Sequence, residues 1–361
     1  MDFLNRQARL IESLGSFHCL LVTSLTNIRY LCGFTGSAGV LLVMPERCVF
    51  FTDGRYTEQA RSQVSGAKVV ITRRPPALAA GEWLIRKAGR WRQKRVLGIE
   101  GEHLTVAARR RLSEVLGNKV RVREAPPMTE QLRLVKDEEE IRLISEAARL
   151  GASLFDCAVK FIRPGVRESE VAGRMELAAR QGGADAMSFE TIVAAGPRSA
   201  LPHGRASTAA IPAQGFVVCD FGVILHGYCS DRTRTVWVGQ PTAEARRVYA
   251  AVLEAQQAAI AAIRPGMGVG EVDRAARNVL KRSGLAQHFT HSTGHGVGLE
   301  IHEAPRVARG QPEKLQAGMV ITVEPGVYLP GQWGVRIEDM VVVTEQGCEV
   351  LAPASKDFIA I

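Results

Sequence analysis

The sequence predicts two domains of different class: an α/β layer over residues 1–125, and an α+β domain over residues 126–361 built from a duplicated unit. Three observations support this division. Short apolar runs alternate with helical patterns in the first part, the phrase Ile-Arg-Pro-Gly occurs twice in the second, and an extended Ala-Pro-Pro sequence separates them. A chain of 361 residues is long enough for two domains with separate cores.

The N-terminal part carries the pattern of an α/β layer with a largely buried sheet. We expect strands within residues 17–23, 39–44, 48–52, 69–72 and 96–100, and helices within residues 1–15, 55–64 and 106–116. No catalytic residue types cluster here. We therefore expect this domain to have a positioning role, to support dimerisation or to control the access of substrate.

The C-terminal part begins after Ala125-Pro126-Pro127, a stiff and extended connection. The two copies of Ile-Arg-Pro-Gly start at residues 162 and 263, at an offset of 101. Each copy follows a long helical pattern and precedes a shorter one that ends at glycine. The predicted helices are residues 137–161 and 168–181 in the first copy, and 243–262 and 271–283 in the second. This pattern predicts an internal pseudo-twofold axis.

The strands that follow each helix pair carry acidic residues in otherwise apolar sequence. Asp220 and Glu324 occupy matching hairpin arms of the two copies, and Asp231 and Glu338 lie in the second arms. A pseudo-twofold axis brings all four carboxylates into one cleft, and the glycine-rich loop between the copies adds His295. Buried carboxylates are costly without cations. The residues therefore predict an oxygen-rich site that suits two metal ions.

The charge of the chain is uneven. The net charge is +9, and residues 1–125 alone hold 21 Lys and Arg against 10 Asp and Glu. The densest basic run is Arg86 to Arg95, with Trp91 inside it, which is one footprint of a nucleic-acid surface. A solvated helix face followed by a buried strand at residues 96–100 explains the same run. No nucleic-acid motif accompanies it, so we expect no nucleic-acid partner.

Composition also indicates the compartment. Apolar runs such as residues 216–219 are far shorter than the roughly 20 residues that cross a membrane. The N-terminus lacks the apolar core of a secretion signal. The 7 cysteines are odd in number and form no CxxC pair. We therefore expect buried free thiols in the cytoplasm and no membrane partner.

The motifs together resemble the Xaa-Pro peptidase branch of the methionine aminopeptidase–prolidase clan, whose catalytic domain has the pita-bread fold. In the C-terminal domain they are LPHG (201–204), DFG…SD (220–231), HSTGHGVGLEIHE (291–303), EPGVY (324–328) and VRIED (335–339). In the N-terminal domain, NIRYLCGFTGSAG (27–39) and FTDGRYTEQA (51–60) resemble the creatinase/prolidase-like domain of aminopeptidase P and its small bacterial relatives. That extra domain argues against a plain methionine aminopeptidase.

The resemblance implies a site for two divalent metal ions. Asp220 would chelate one ion, Asp231 and Glu338 would bridge both, and His295 and Glu324 would complete the other. A hydroxide shared by the two ions is the nucleophile expected of such sites. The ligand set suits Mn²⁺ best, and Co²⁺, Fe²⁺ or Zn²⁺ also fit it.

The resemblance also implies catalytic and substrate-binding residues. Glu324 would take a proton from the attacking water, His302 would donate to the developing oxyanion, and His203 would lie near the scissile amide. His291 and Arg336 would meet the carbonyl or carboxylate of the substrate's proline residue. Arg336 has an alternative role as the ion-pair partner of Asp339 or of another strand acid.

Tyr228, three residues before Asp231, has two possible roles. In the first, its hydroxyl hydrogen-bonds in support of the site and contacts the substrate. In the second, its ring packs in the core. His226 and His288 are expected to be structural.

Three classes of function remain open on the sequence. The first is a metal-dependent exopeptidase that removes an N-terminal residue from a following proline, either aminopeptidase P, acting on longer peptides, or prolidase, acting on dipeptides. The TGSAG and TDGRY phrases and the small size favour aminopeptidase P. The second is a metal-free, creatinase-like enzyme, and the third is a binding module without catalysis. The family resemblance further implies a homodimer.

Overall fold

The structure is a computed structural model that describes residues 1–88 and 94–361. The chain divides into two compact units between Arg133 and Leu134. Residues 89–93, which include Trp91 and the centre of the basic run, lie outside the described residues. No helix in the two described ranges has both the length and the apolar content to cross a membrane.

The N-terminal unit is a six-stranded mixed sheet flanked by helices, with strand order β4-β3-β2-β1-β5-β6. Strands β1, β2 and β3 are antiparallel, and the outer neighbours pair in parallel. The strands are β1 (Cys19–Val22), β2 (Val40–Met44), β3 (Arg47–Asp53), β4 (Ala67–Thr72), β5 (Arg95–Glu100) and β6 (Val120–Ala125). The helices are α1 (Phe3–Glu12), α2 (Leu25–Cys32), α3 (Thr57–Gln63), α4 (Pro76–Ala88), α5 (Val106–Leu116) and α6 (Met128–Arg133).

The boundary between the units lies after α6 and not at the predicted Ala125-Pro126 junction. A polar network ties α6 to the N-terminal sheet. Asn27 donates to Glu130 Oε1 and to Glu100 Oε1, at 2.7 and 2.6 Å, and accepts a 2.7 Å hydrogen bond from Arg133. β6 ends directly before the two prolines, but the hydrogen bonds of Asn27 place the next helix in the first unit.

The C-terminal unit contains two helix pairs and several small sheets, in agreement with the predicted α+β class. The helices are α7 (Glu138–Phe161), α8 (Glu168–Gln181), α9 (Ala243–Ala261) and α10 (Val269–Arg282). Strands of the first half are β7 (Ala186–Met187), β8 (Ile192–Ala195), β9 (Gly215–Phe221), β10 (Val223–Leu225), β11 (Tyr228–Cys229) and β12 (Arg232–Val238). Strands of the second half are β13 (Gly294–Gly296), β14 (Glu303–Val307), β15 (Val320–Val323), β16 (Gly326–Leu329), β17 (Trp333–Arg336), β18 (Asp339–Val343) and β19 (Cys348–Val350).

The predicted duplication is present in the backbone. Gly165 and Gly266 follow the first helix of each pair with φ of 86° and 82°. Each donates its N–H to a later residue that directly follows an isolated β-bridge, to Ile211 O at 2.9 Å and to Leu315 O at 2.8 Å. A left-handed backbone conformation favours glycine, which explains why the Pro-Gly phrase occurs in both copies.

Each helix pair covers its own apolar core. Residues of α7 and α8 pack on β8, β9 and β12, and residues of α9 and α10 pack on β15, β17 and β18. The apolar faces of the strands are therefore buried in the two cores. Their polar residues at the strand ends are left to face the space between the two halves.

Candidate metal centre and active site

A cavity of about 650 Å³ lies between the two halves of the C-terminal unit. Strand ends and loops of both halves line it, as the pseudo-twofold arrangement predicts. Its lining includes all the residues predicted from the motifs except Tyr228: His203, Asp220, Asp231, His291, His295, His302, Glu324, Arg336 and Glu338.

The five predicted metal ligands lie close together in this cavity. One carboxylate oxygen each from Asp220, Asp231 and Glu338 lie within 4.8 Å of one another. His295 Nε2 is 3.5 Å from Asp231 Oδ2 and 3.5 Å from Glu324 Oε1. Four carboxylates and one imidazole thus converge on one small volume.

Glycine on either side of His295 permits this convergence. His295 is the central residue of β13, and the strand approaches its neighbours closely. A Cβ atom on Gly294 would lie 2.0 Å from Thr322 O, and one on Gly296 would lie 2.1 Å from Ala304 O. Any larger residue at these positions would push the His295 strand away from the carboxylates.

The carboxylates share an environment that disfavours their negative charge. Burial, with the neighbouring Glu338 carboxylate, raises the pKa of Asp231 well above its usual range. Burial, with the neighbouring Glu324 carboxylate, does the same to the pKa of Glu338. Burial raises the pKa of Glu324 to about 8 and lowers the pKa of His295 to about 4. A cation in the cluster would remove this penalty for all of them.

The donor atoms fit divalent metal ions. Among the described residues, neither Asp220 Oδ1 nor Glu338 Oε1 has a hydrogen-bond partner, although both atoms are buried. Buried polar atoms are normally satisfied, so orphaned carboxylate oxygens that face a cluster of other acids indicate a cation-binding site. Carboxylate oxygens with one imidazole are a donor set for Mn²⁺ and neighbouring divalent ions.

Arg336 lies in the cavity wall, but its guanidinium is engaged by the protein. It donates to Asp220 Oδ2 and to Tyr328 OH, each at 2.6 Å. It also donates to Thr233 Oγ1 at 3.0 Å and to Pro202 O at 2.9 Å. The structure therefore favours the scaffold role over the predicted substrate contact.

Of the ion-pair partners expected for Arg336, the structure contains another strand acid, Asp220, and not Asp339. Asp339 pairs instead with Arg234, at 2.7 Å, and with Lys356, at 2.8 Å. Because Asp339 begins β18, its side chain points away from the cavity that Glu338 faces, as alternation along an extended segment requires.

His291 also lies in the cavity wall with both ring nitrogens engaged. Nδ1 is 2.8 Å from Ser292 O, so it carries the proton and donates. Nε2 then accepts a 2.9 Å hydrogen bond from Tyr328 OH. Burial lowers the pKa of His291 to about 4, which keeps the ring neutral near pH 7. The predicted polar contact from His291 to substrate is thus replaced by a contact to Tyr328.

Tyr228 does not reach the cavity. Its side chain is 1% exposed and packs in the apolar cluster beneath α7, where its hydroxyl donates to Glu140 Oε1 at 2.9 Å. The substrate-binding role predicted for Tyr228 is wrong, and the core-packing alternative is correct. The spacing from Asp231 misled because Tyr228 lies on β11, which pairs with β10, whereas Asp231 directly precedes β12, which pairs with β9 in a different sheet.

Tyr328 is the principal residue that sequence reasoning missed. Its hydroxyl links Arg336 to His291, and burial raises its pKa to about 12, so it remains protonated. The signal was its place in the EPGVY motif, four residues after Glu324. Thr233 was also missed: it donates to Glu338 Oε2 at 2.8 Å and accepts from Arg336.

The remaining predicted residues, His203 and His302, lie in the lining with exposed side chains. The His302 ring contacts the His295 ring edge-on, with centroids 4.4 Å apart. Both histidines are thus accessible to a ligand in the cavity, unlike His291 and Arg336.

Comparison with known proteins agrees with the site. Residues 142–345 match the model of metallopeptidase family M24, and residues 6–135 match the creatinase/prolidase N-terminal domain. The chain is 41% identical over 345 residues, 95% of each chain, to the uncharacterized peptidase YqhT of Bacillus subtilis.

Two solved structures cover nearly the whole chain. The Xaa-Pro dipeptidase from Bacillus anthracis is 39% identical, covers 100% of both chains and gives a TM-score of 0.94. The X-Pro aminopeptidase from Thermotoga maritima is 34% identical, covers 99% of this chain and 100% of its own, and gives a TM-score of 0.90. The predicted fold class and family resemblance are confirmed: the chain belongs to metallopeptidase family M24, with a creatinase/prolidase N-terminal domain, and is a metal-dependent peptidase.

Proposed function

We propose that this protein is a two-metal exopeptidase that hydrolyses the bond between an N-terminal residue and a following proline. The observation that carries the proposal is the cluster of Asp220, Asp231, His295, Glu324 and Glu338, with two orphaned carboxylate oxygens, at the wall of an open cavity. The similar dipeptidase and aminopeptidase of known structure, both named for Xaa-Pro substrates, support the substrate class.

The five clustered residues would hold the ions, and Mn²⁺ is our first choice for a site dominated by carboxylate oxygens. When bound, divalent ions polarise a carbonyl and activate water near neutral pH. The protein's own contribution begins with position. Arg336 fixes Asp220, and Thr233 fixes Glu338, through hydrogen bonds of 2.6 and 2.8 Å.

Glu324 is the group best suited to carry a proton. It is a carboxylate in the cavity wall, 3.5 Å from His295, and a positioned carboxylate is one of the usual general acid–base groups. Its Oε1 atom accepts a 3.3 Å hydrogen bond from Thr322, which fixes its direction. We propose that Glu324 takes a proton from water on attack and delivers it to the leaving nitrogen. Proline's nitrogen in the peptide has no N–H, so it departs only after gaining that proton.

His203 and His302 complete the site on the substrate side. His203 belongs to the loop after β8 and lines the same cavity as the carboxylates, and His302 lies beside His295. We propose that the imidazole of His302 donates a hydrogen bond to the oxygen that gains charge, and that His203 contacts the scissile amide.

Replacing His203 with alanine tests this assignment. We expect kcat for an Xaa-Pro substrate to fall by about 10²-fold, because a hydrogen bond made to the transition state is lost. Mn²⁺ affinity, measured by calorimetric titration, is expected to stay within about twofold. Loss of metal with the substitution would instead make His203 a ligand.

Whether the substrate is a dipeptide or a longer peptide depends on which side chain of the cavity contacts the part of the substrate that follows the proline ring. Besides Arg336, two arginines line the cavity: Arg205 pairs with Glu190 at 3.0 Å, whereas Arg306 has an exposed side chain and no carboxylate partner within the described ranges. An unpaired guanidinium at the cavity wall suits the free carboxylate of a dipeptide. We therefore propose Xaa-Pro dipeptides as the preferred substrates, with longer peptides, as for aminopeptidase P, as the second candidate.

Replacing Arg306 with methionine tests the preference. We expect KM for Ala-Pro to rise about tenfold or more, because a charge-assisted hydrogen bond to the carboxylate is lost. KM for Ala-Pro amide, which lacks that carboxylate, is expected to change little. Arg309→Met, an exposed arginine three residues later, is the matched control and should leave both values unchanged. Equal effects of Arg306→Met on the two substrates would remove the argument for dipeptides.

Cleavage of Ala-Pro and Ala-Pro-Ala, by metal-free protein with and without Mn²⁺, tests the activity itself. Mn²⁺-dependent release of alanine from the dipeptide alone supports prolidase activity, and release from the tripeptide supports aminopeptidase P activity. Failure on both substrates with every divalent metal would contradict the proposed function and favour a binding module.

We further propose a homodimer in the cytoplasm, with the N-terminal unit contributing to dimerisation or to gating of the substrate. The support is the family relationship for the assembly and five buried thiols for a reducing compartment: Cys19, Cys32, Cys48, Cys219 and Cys229. Light scattering after size-exclusion chromatography measures the assembly directly.

A further inference from the structure

Each half of the catalytic unit contains a buried carboxylate, an arginine and a hydroxyl that together tie a cavity loop to the second helix of the pair. The first clamp is Glu168, Arg198 and Ser207. The second clamp is Asp273, Arg277 and Thr293. Neither carboxylate lines the cavity, and of the six clamp residues only Thr293 lies within one of the quoted motifs.

The first clamp fixes the loop that carries His203. Glu168, with no exposed surface, accepts hydrogen bonds from Arg198 Nε at 3.0 Å and from Ser207 Oγ at 2.7 Å. It also accepts from the backbone amide of Ala195, at the end of β8, and from that of Ser207 in the loop. Arg198 in turn donates to Arg205 O at 2.8 Å. The loop is therefore held on both sides of His203.

The second clamp fixes the segment that carries His291. Asp273, 1% exposed, accepts from Thr293 Oγ1 and from Arg277 Nε, each at 2.8 Å. Arg277 donates to Phe289 O at 3.0 Å and to His291 O at 2.6 Å, and stacks over the Phe289 ring at 4.2 Å. One planar guanidinium thus fixes the positions of two backbone carbonyls in this segment.

The two clamps reach different parts of the site. Thr293 O accepts the backbone N–H of Glu324 at 2.8 Å. The His291 ring meets Tyr328, which connects through Arg336 to Asp220. The second clamp therefore supports two metal ligands. The first clamp supports His203, and within the described ranges its loop contacts the Arg336 strand through Pro202 O, which accepts from Arg336, and through Ser199 Oγ, which accepts from Gly334 N.

We propose that these two clamps are paired positioning devices with separate tasks. The Glu168 clamp sets His203 for the peptide, and the Asp273 clamp sets Glu324 and Asp220 for the metal ions. The peptide part of this inference rests on the proposed function, whereas the metal part does not depend on the substrate.

Arginine variants test the inference without opening a core cavity, because the side chains of Arg198 and Arg277 are 36% and 33% exposed. The variants are Arg198→Met, Arg198→Lys, Arg277→Met and Arg277→Lys. Arg282→Met is the matched control, since it removes an exposed ion pair with Glu254 from the same helix as Arg277. The readouts are Tm, Mn²⁺ affinity by calorimetric titration, backbone hydrogen exchange, and kcat and KM for Ala-Pro.

We expect Arg277→Met to weaken Mn²⁺ binding by about tenfold or more and to speed hydrogen exchange at residues 289–295. We expect Arg198→Met to lower kcat by about tenfold, to speed exchange at residues 196–207 and to leave Mn²⁺ affinity within about threefold. The lysine variants keep the charge beside the buried acid but lack the fork that spans the loop. They should restore Tm without restoring affinity or kcat.

Three results would overturn the inference. One is a loss of Tm in the methionine variants with unchanged Mn²⁺ affinity, kcat and loop exchange, which would make the clamps purely structural. Another is full recovery of affinity and kcat by lysine. A third is the same loss of metal affinity in Arg198→Met and Arg277→Met. If the wild-type protein cleaved no Xaa-Pro peptide, the proposed function would fail, but exchange and Mn²⁺ affinity would still test the clamps.

Discussion

Glu324→Gln is expected to lower kcat for an Xaa-Pro substrate by about 10²–10⁴-fold, the usual contribution of a general acid–base group. Glutamine keeps the size of the side chain and its acceptor for Thr322, but it cannot take or deliver a proton. Because Glu324 is buried among other acids, removing its charge also removes repulsion. The variant is therefore expected to fold, with a Tm in chelator no lower than that of the wild-type protein.

Single-turnover kinetics at saturating Mn²⁺ measures the rate of the chemical step without interference from weaker metal binding. Calorimetric titration measures any loss of Mn²⁺ affinity. Glu313→Gln, an exposed residue of the same half, is the matched control and should keep the wild-type rate. A Glu324→Gln enzyme that retains a near-normal rate would contradict the proton-carrier role.

Metal removal is expected to make stability fall as pH rises from about 6.5 to 8. In the chelated protein, the folded-state pKa of Glu324 is about 8, against an ordinary value of 4.5, and those of Asp231 and Glu338 are also raised. Across this window the folded state holds protons that the unfolded chain has lost. Raising the pH therefore favours unfolding. For Glu324 alone the loss is on the order of 2 kcal/mol over 1.5 pH units.

The lower limit of this pH window is set by the protonation of two histidines, His291 and His295. Burial lowers the pKa values of His291 and His295 to about 4, against an ordinary value of 6.5. Between pH 4 and 6.5 the unfolded chain therefore binds more protons at these two residues than the folded state does. Their contribution to stability rises with pH over that range and opposes the carboxylates. Above pH 6.5 this opposing contribution fades as the histidines of the unfolded chain lose their remaining protons, and the carboxylates dominate.

Calorimetric unfolding in chelator at pH 6.5, 7.2 and 8 measures the effect. With Mn²⁺ present the trend should reverse, because metal binding releases the same protons and tightens as pH rises. Glu324→Gln should show a flatter decline in chelator than the wild-type protein. A chelated wild-type protein that is equally stable or more stable at pH 8 would contradict the shared burial of these carboxylates.

Much of the fold followed from local sequence. The repeated Ile-Arg-Pro-Gly phrase predicted four helices that the structure contains within a few residues, because proline, glycine and acidic first turns act on the nearest backbone. The five clustered ligands were also predicted, since acids in apolar strands and glycines around His295 are local signs of a buried polar site. The boundary was misplaced because the hydrogen bonds of Asn27 with Glu130 and Arg133 join distant parts of the chain.

The sequence by itself thus predicted the class of each domain, the duplication and the five residues that cluster in the cavity. Only the tertiary structure decided what each side chain faces. Arg336, His291 and Tyr228 were assigned to substrate from their positions in motifs, yet their polar atoms meet Asp220, Tyr328 and Glu140. Hydrogen bonds between residues far apart in sequence depend on how strands and helices pack, and residue spacing within a motif carries no information about that packing.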